Sequence, residues 1–597
     1  MRPRWLTLAA QRPFACGLAS SLLMYASLPP LGWSWLTWLA PLGWLLQARD
    51  GQATGRRFYL PQWLAACVFF LAFLHGIRLA YPALYLGWFA LSAYLAIYPP
   101  LFIALTRWAT RRAHCPLLIA APVIWVSGEL LRGYLLTGFT GGMLGHGLAF
   151  WTTTIQLADI GGAYGVSGLV MLVATALLQQ LPTTSPELAA DQPPECNPQR
   201  GIKPWCDRPM GSALSAALAV LAALTYGHLR QQQVDQQVGP QQRSSATQTA
   251  AVEESPRRSA TAADGLSTSD SLHIALIQNS IDTVFDYNEE RNRQTFERYR
   301  EQTLEVCRTH PDLDVVIWPE SMFTENSPEF LVEDPELRVR IADRLRAFEA
   351  KVRLLAREIA EIRGDEGLHL VVGTITIDAT HSDRRPREYN SALLIHPSGE
   401  VVDRYYKQHL VMFGEYIPLG ETFPQLYQWV GMGGATPGDR PVAFAVKDHK
   451  LCPNICFETM VPHVIGSQLR ELRKSEKVAD ILINLTNDGW FWGSTILDMH
   501  FQAGIFRAIE ARKPLVVAAN TGITAWIDGS GRVIDQLPRR QPGVLIARVT
   551  SDGRRSWYER WGDRPVVGLV ILFYGWLAVR HRRVPKGSVE RRSEGSS

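Results

Sequence analysis

Charge is what this chain of 597 residues is short of: charged residues make up 19%, and 60 Lys and Arg against 56 Asp and Glu leave a formal net charge of +4. That excess is too small for this length to suggest a nucleic-acid partner. Cysteine is scarce too: the 8 Cys are scattered and form no disulfide framework. Cys452 and Cys456 have a CxxxC spacing that could bind metal or oxidise, but no second Cys or His pair lies nearby to complete a metal site. Between 231 and 270 large apolar residues almost disappear in favour of Gln, Ser, Thr and Ala. Such a segment cannot bury a core and reads as a flexible linker. A second polar, Pro-rich insertion covers Pro182 to Asp207.

What the chain does have is a series of apolar runs in its first third. Phe14–Leu28 follows a basic start (Arg2, Arg4, Arg12) and, with more runs behind it, reads as a first membrane helix rather than a signal peptide. Further spans are expected near Leu31–Leu46, Phe58–Leu79, Leu84–Leu105, Cys115–Leu131, Gly161–Leu181 and Met210–His228. The basic patches Arg2/Arg4/Arg12, Arg49/Arg56/Arg57, Arg107/Arg111/Arg112 and Arg200/Lys203/Arg208 are each separated by a pair of spans. All four therefore fall on the cytoplasmic face, and seven spans deliver the chain after about 229 to the opposite side. A last apolar segment, Pro565–Val579, leads to the basic residues Arg580, Arg582, Arg583 and Lys586, which places the end of the chain back in the cytoplasm. Glu129 and Arg132 stand three residues apart near the end of a span, on one helix face, either as a functional pair or as an interfacial one.

From Leu272 the pattern changes to β runs alternating with charged helices. HIALIQ, DVVIWPE, LHLVVGTITI, YNSALLIHP, PVAFAV, ADILINLTND and PLVVAANTG read as strands, and 289–308 and 335–363 as helices. Asp528-Gly529 with Gly531 marks a hairpin. The alternation indicates a layered α/β domain. The expected organisation is a polytopic membrane domain over 1–230, a linker over 231–270, a catalytic domain over 271–549, and a membrane helix with a basic tail over 550–597.

Three of the β runs end in residues suited to chemistry. VVIWPE delivers Glu320, VVDRYYK delivers Lys407, and the run through Val442, Phe444 and Val446 leads to Cys456. A thiol needs a base or a positive charge to become a nucleophile. Glu320, partly desolvated by Trp318-Pro319, is suited to take the proton. Lys407 is suited to lower the Cys456 pKa and stabilise an oxyanion, together with backbone N–H groups near Phe457. Glu415 and Glu458 are expected to orient Lys407 and the loop.

WPES, YYKQHLVMFGEYIP and CFE, in this order, resemble the nitrilase superfamily of carbon–nitrogen hydrolases, and more closely its membrane-bound apolipoprotein N-acyltransferase branch. The resemblance implies a multi-pass α-helical membrane domain joined to an α-β-β-α sandwich, with Glu320, Lys407 and Cys456 as catalytic residues. It further implies a bacterial inner-membrane location, a periplasmic catalytic domain and no cofactor or metal. A phospholipid would donate an acyl chain to Cys456, and a diacylglyceryl apolipoprotein would receive it on its amino group. The branch places substrate-pocket loops around Asn487, Asp488 and Trp490. The chain departs from it in having Phe457 where Tyr is common, Met412 where Pro is common, and an extra Trp in WFWG. The rival readings are a membrane-tethered amidase or nitrilase, against which eight spans argue, and a non-catalytic membrane scaffold, against which the three motifs together argue.

After Glu415 the segment YIPLGETFPQLYQWVGMGG, preceded by Met412 and Phe413, holds many large apolar side chains but too many Pro and Gly for one regular helix. Phe413, Trp429 and Met432 are read either as lipid-contacting residues of a lid that enters the bilayer interface or as part of a loop packed on its own domain. The topology is directly testable. Reporter fusions at Ser267 and after Ser597 should report opposite sides of the membrane; agreement between them would remove the seventh or the eighth span.

Overall fold

The computed structural model describes residues 11–51, 54–80, 84–182, 205, 208–237, 271–283, 288–324, 327–364, 367–380, 385–420 and 434–583, with isolated positions between 421 and 433. Trp429 and Met432, and most of the linker 231–270, lie outside them. The described residues form two compact units, one within 1–75, 88–225 and 563–597, the other within 76–87 and 226–562.

The first unit is helical. Four helices among the described residues, Leu84–Arg111, Leu117–Thr137, Ala158–Gln179 and Pro209–Gln233, are long and apolar enough to cross a bilayer, and Pro13–Ser27 is a shorter apolar helix. Arg56–Phe73 and the C-terminal Arg564–Arg583 are helices as well. The run expected as one span near Leu31–Leu46 is instead a short turn of helix at Ser34–Trp38 and a helix Leu42–Asp50. Pro41, with no N–H to donate, sits at the junction as N-cap of the second piece. The helix starting at Pro209 runs to Gln237, into the stretch read as linker from 231. Gln is a fair helix former, and no breaker occurs before Gly239-Pro240.

Glu129 and Arg132 are packed inside the helical unit, 4% and 5% exposed. Glu129 Oε1 accepts from Trp125 Nε1 at 3.0 Å and from the Leu144 amide at 2.7 Å. Arg132 Nη2 donates to the Gly141 carbonyl at 3.3 Å. Both line a mainly apolar cavity of about 100 Å³ with Trp44, Phe102 and Trp125.

The second unit contains two sheets. The strands are β1 Ser271–Gln278, β2 Val315–Ile317, β3 Glu329–Leu331, β4 His369–Asp378, β5 Arg387–Ile395, β6 Val401–Tyr406, β7 Phe444–Val446, β8 His449–Ile455, β9 Ile481–Thr486, β10 Leu515–Ala519, β11 Ala525–Ile527, β12 Val533–Gln536 and β13 Gly543–Thr550. One sheet runs β13-β1-β2-β4-β5-β6 with β3 beside β4, the other β12-β11-β10-β9-β8-β7. Leu276, Ile317, Tyr405, Phe444, Ile483 and Val516 belong to one core shared by the two sheets. The first sheet's other face is covered by Glu289–Thr309 and Ala342–Arg363, through Phe296, Tyr299, Phe348 and Leu355. Pro462–Lys474 and Ile496–Ala511 flank the second sheet. This is the expected four-layer sandwich. β9 and β10 read as continuous apolar runs because both their faces are buried.

Two local expectations change. The run leading to Cys456 is a hairpin, β7 turning at Lys447 (φ +51) into β8, so β8 rather than the Val442–Val446 run delivers the thiol. The helix expected over 335–363 is split at Ile341, the first piece capped by the Asp334 side chain. The hairpin at Asp528 forms as expected, with Gly531 at φ +73 donating to the Asp528 carbonyl.

Strand direction brings the chemistry to one edge. β1, β2 and β4 are parallel, and β6, two antiparallel steps from β4, runs the same way. The residues after β2 and β6 therefore emerge together. In the other sheet β8, β9 and β10 are parallel. Gly373 of β4 lies under the turn that follows β2. A Cβ there would meet the Pro319 carbonyl oxygen at 2.4 Å, Glu320 Cα at 2.5 Å and the Ser321 nitrogen at 2.7 Å. All three are backbone contacts, so Gly373→Ala should destabilise the protein by about 1–3 kcal/mol and displace Glu320. A lowered unfolding temperature in detergent together with lost activity is the expected result; wild-type values for both would contradict it.

Candidate active site

Of the three residues expected from the strand ends, Glu320 and Lys407 are in direct contact, and Cys456 lies close enough for both charges to act on its thiol. Lys407, 1% exposed, follows β6. Its Nζ donates to Glu415 Oε1 at 2.9 Å and lies 3.5 Å from Glu320 Oε1. Burial opposes its charge, but Glu415 and Glu320 outweigh burial and hold the ammonium above its ordinary range. Glu415 Oε2 accepts from the Val411 amide at 2.9 Å, which closes the loop between the two residues.

Glu320 follows β2 and the buried Trp318. Its two oxygens are oriented separately: Oε1 accepts from Asn390 Nδ2 at 2.7 Å, and Oε2 from the Asn487 amide at 2.9 Å. Asn390 Nδ2 also reaches Glu415 Oε1 at 2.8 Å, so a single amide spans both carboxylates.

Cys456 follows β8 and has φ +51, a left-handed conformation unusual for a residue with a Cβ. It is partly exposed, whereas Cys16, Cys67, Cys115, Cys307 and Cys452 are buried. Desolvation, then the negative charge of Glu320, pushes its thiol well above the usual range; Lys407 pulls the other way without reversing this. Lys407 does lower the Cys456 pKa, as expected, but burial and Glu320 outweigh it. The resting group is a thiol, and ionising it calls for a base at the moment of attack. Cys452 is a free, fully buried thiol within β8.

Glu458, fully buried, braces the turn after Cys456. It accepts from Tyr405 Oη on both oxygens at 2.8 Å, from the Gln408 and His409 amides at 2.8 and 3.0 Å, and from the Ile455 amide at 2.7 Å. It thereby joins the end of β8 to the segment around Lys407. Phe457 stacks on His409 with ring centroids 5.9 Å apart.

The remaining candidates are dispersed. Asn487 is buried, and its side chain is taken up by Asn520 Nδ2 at 2.9 Å and Thr283 Oγ1 at 3.3 Å, so its amide, not its side chain, reaches Glu320. Trp490 is half-buried in the following turn. Phe413 is 44% exposed at φ +61, and Leu419 and Phe423 are 68% and 53% exposed. Among the described residues no group of three His, Cys, Asp or Glu is placed to hold a metal ion. Asn390, Asn484, His500 and Asn520 escaped the sequence reading. Their one signal is a polar residue where strand or helix pattern calls for an apolar one.

Burial raises Glu458 to about 6, against its backbone donors, Lys407 and Tyr405, which favour the carboxylate. All five of its hydrogen bonds need it as an acceptor, so falling pH protonates it and loosens the turn. Activity should decline as pH drops through about 6. Tyr405→Phe removes the hydroxyl donor shared by both oxygens of the ionised form and should move that limb to higher pH. An acidic limb that stays in place in Tyr405→Phe would separate it from Glu458.

Comparison with known proteins matches both units in order. Residues 20–176 match the family model described as apolipoprotein N-acyltransferase N-terminal domain, and residues 273–559 the one described as carbon-nitrogen hydrolase. The apolipoprotein N-acyltransferase of Rhodopirellula baltica is 29% identical over 97% of this chain and 99% of its own. That of Geobacter metallireducens is 28% identical over 93% and 92%. Among solved structures, a nitrilase-superfamily protein of Saccharomyces cerevisiae covers 54% of this chain and 97% of its own at TM-score 0.34 and 13% identity. An amidase from Nesterenkonia sp. covers 52% and 97% at TM-score 0.32 and 16% identity. With relatives aligned along nearly their whole length and a helical unit preceding a carbon–nitrogen hydrolase unit, this chain belongs to the apolipoprotein N-acyltransferase family of bacterial membrane acyltransferases.

Proposed function

We propose that the protein transfers an acyl chain from a phospholipid to the N-terminal amine of a diacylglyceryl-cysteine apolipoprotein, through a thioester on Cys456. The observation that carries this reading is the buried Glu320–Lys407–Glu415 cluster beside the thiol of Cys456. Glu320 takes the thiol proton as sulfur attacks the ester carbonyl of the donor. The oxyanion so formed is stabilised by the Lys407 ammonium. Its collapse expels the lysophospholipid alkoxide, which takes the proton from Glu320, and leaves the acyl group on sulfur. The apolipoprotein amine then attacks the thioester, its proton passes to Glu320 and from there to the departing Cys456 thiolate, and an amide, the free thiol and an ionised Glu320 result. Since the thiol is held above its usual range, proton removal is coupled to attack, and idle thiolate is kept scarce.

The domain organisation read from the sequence fits this reaction. Both substrates are lipid-anchored, and the periplasmic placement of the 271–549 domain that the family resemblance implies would bring it to them. Exposed Phe413, Leu419 and Phe423 support the lid reading of the segment that also contains Trp429 and Met432.

Mass spectrometry of the purified protein after incubation with phospholipid vesicles tests the reaction. The peptide carrying Cys456 should gain the mass of one acyl group and lose it when a diacylglyceryl peptide with a free amine is added. Cys456→Ala should abolish both signals in a folded protein, and Cys452→Ala should retain most activity. No adduct on wild-type Cys456, or equal loss in the two variants, would overturn the proposal.

A further inference from the structure

The peptide of Cys456 is held from outside its own strand. Its carbonyl oxygen lies 2.7 Å from His500 Nε2 and accepts from Asn484 Nδ2 at 3.3 Å. His500 sits in the helix Ile496–Ala511, whose sequence around it (ILDMHFQAG) is largely apolar, and it is 8% exposed. Its other ring nitrogen, Nδ1, lies 3.2 Å from Asp488 Oδ1, a carboxylate 2% exposed, and 3.5 Å from Thr486 Oγ1. The Thr486 hydroxyl donates to that same carboxylate oxygen at 3.1 Å. Gly522 leaves room for the carboxylate, since a Cβ there would come within 2.1 Å of Asp488 Oδ2.

A backbone carbonyl and a carboxylate are acceptors only. A ring that faces one with each nitrogen has to donate from both, which makes it an imidazolium. We propose that His500, charged and paired with Asp488, is a positioning residue that fixes the left-handed Cys456 peptide and supplies a second cation beside the thiol. It rests on Cys456 being the nucleophile. The charged and titratable groups facing the ring are Asp488 after β9, Glu320 after β2 and Cys456 after β8; on its own helix, Asp498 is engaged by Arg539. Burial pushes the ring down, but Asp488, the Cys456 carbonyl and Glu320 outweigh burial and bring it above its usual range.

The arrangement also links nucleophile and base. Residues 486–488 place Asp488 on His500 and, one residue earlier, the Asn487 amide on Glu320 Oε2. A shift of this turn moves the acceptor of the thiol proton and the carbonyl next to the thiol together.

The test uses the full-length protein in detergent. Alkylation of Cys456 by iodoacetamide is followed by mass spectrometry from about pH 6 to pH 10, alongside transfer kinetics. His500→Gln keeps one N–H for the carbonyl and removes the charge. The ratio of wild-type to His500→Gln alkylation rates should be about tenfold at pH 6.5, the effect of one unit in the thiol pKa, and fall toward one as rising pH takes the proton from His500. Transfer should lose kcat with KM nearly unchanged. Asp488→Asn should make the same alkylation advantage vanish at lower pH, and it serves as the independent variant if His500→Gln does not fold. A ratio independent of pH, or equal to one throughout, would overturn the proposal. Failure of the proposed function is read separately: wild-type Cys456 would then form no acyl adduct, while its alkylation profile would still decide the role of His500.

Discussion

A buried ammonium is stable in a protein only where carboxylates and hydrogen bonds replace the water it has lost. Lys407 is such a group, and much of the site can be understood as its compensation. Glu415 supplies the direct ion pair, Glu320 a second negative charge, and Asn390 a neutral amide that donates to both carboxylates on the oxygens nearest the lysine. Burial, and after it the second of these carboxylates, Glu320, raises the thiol of Cys456. Charge balance at the lysine therefore constrains the protonation state of the sulfur.

The geometry that permits this comes from strand direction. Glu320 and Lys407 follow strands of one sheet, while Cys456 and the Asn487 amide follow strands of the other. The shared core between the sheets fixes their separation, and Glu458 fastens the end of β8 to the segment after β6 with five hydrogen bonds. Such a network is sensitive to any partner lost, since each orphaned donor would keep its desolvation cost of about 1–3 kcal/mol.

In the helical unit the same rule operates without catalysis being implied. Glu129 and Arg132 are enclosed by Trp125, the Leu144 amide and the Gly141 carbonyl, within a unit otherwise packed by aliphatic and aromatic side chains. Their three-residue spacing put them on one helix face in the sequence; that this face turns inward is a matter of which helices pack against it.

Local pattern by itself determined a good deal of this protein. Alternation and turn residues located most of the strands and the Asp528 hairpin, and apolar length located four helices long enough to cross a bilayer but misplaced a single span at Leu31–Leu46. Three motifs marked Glu320, Lys407 and Cys456. Local pattern did not determine the break at Pro41, the continuation of the helix to Gln237, or the hairpin that makes β8 the carrier of the thiol, because each depends on where a chain stops gaining from packing. Nor did it reveal Asn390, Asn484, His500 or Asn520. Each is a polar residue within or just after a strand or helix, and its partners lie elsewhere in the chain, from 12 residues away for His500 and Asp488 to 239 for Asn520 and Ile281. Tertiary structure alone decided those pairings, and with them the net protonation of the nucleophile, because burial and the nearest charges are set only once the two sheets have closed on each other.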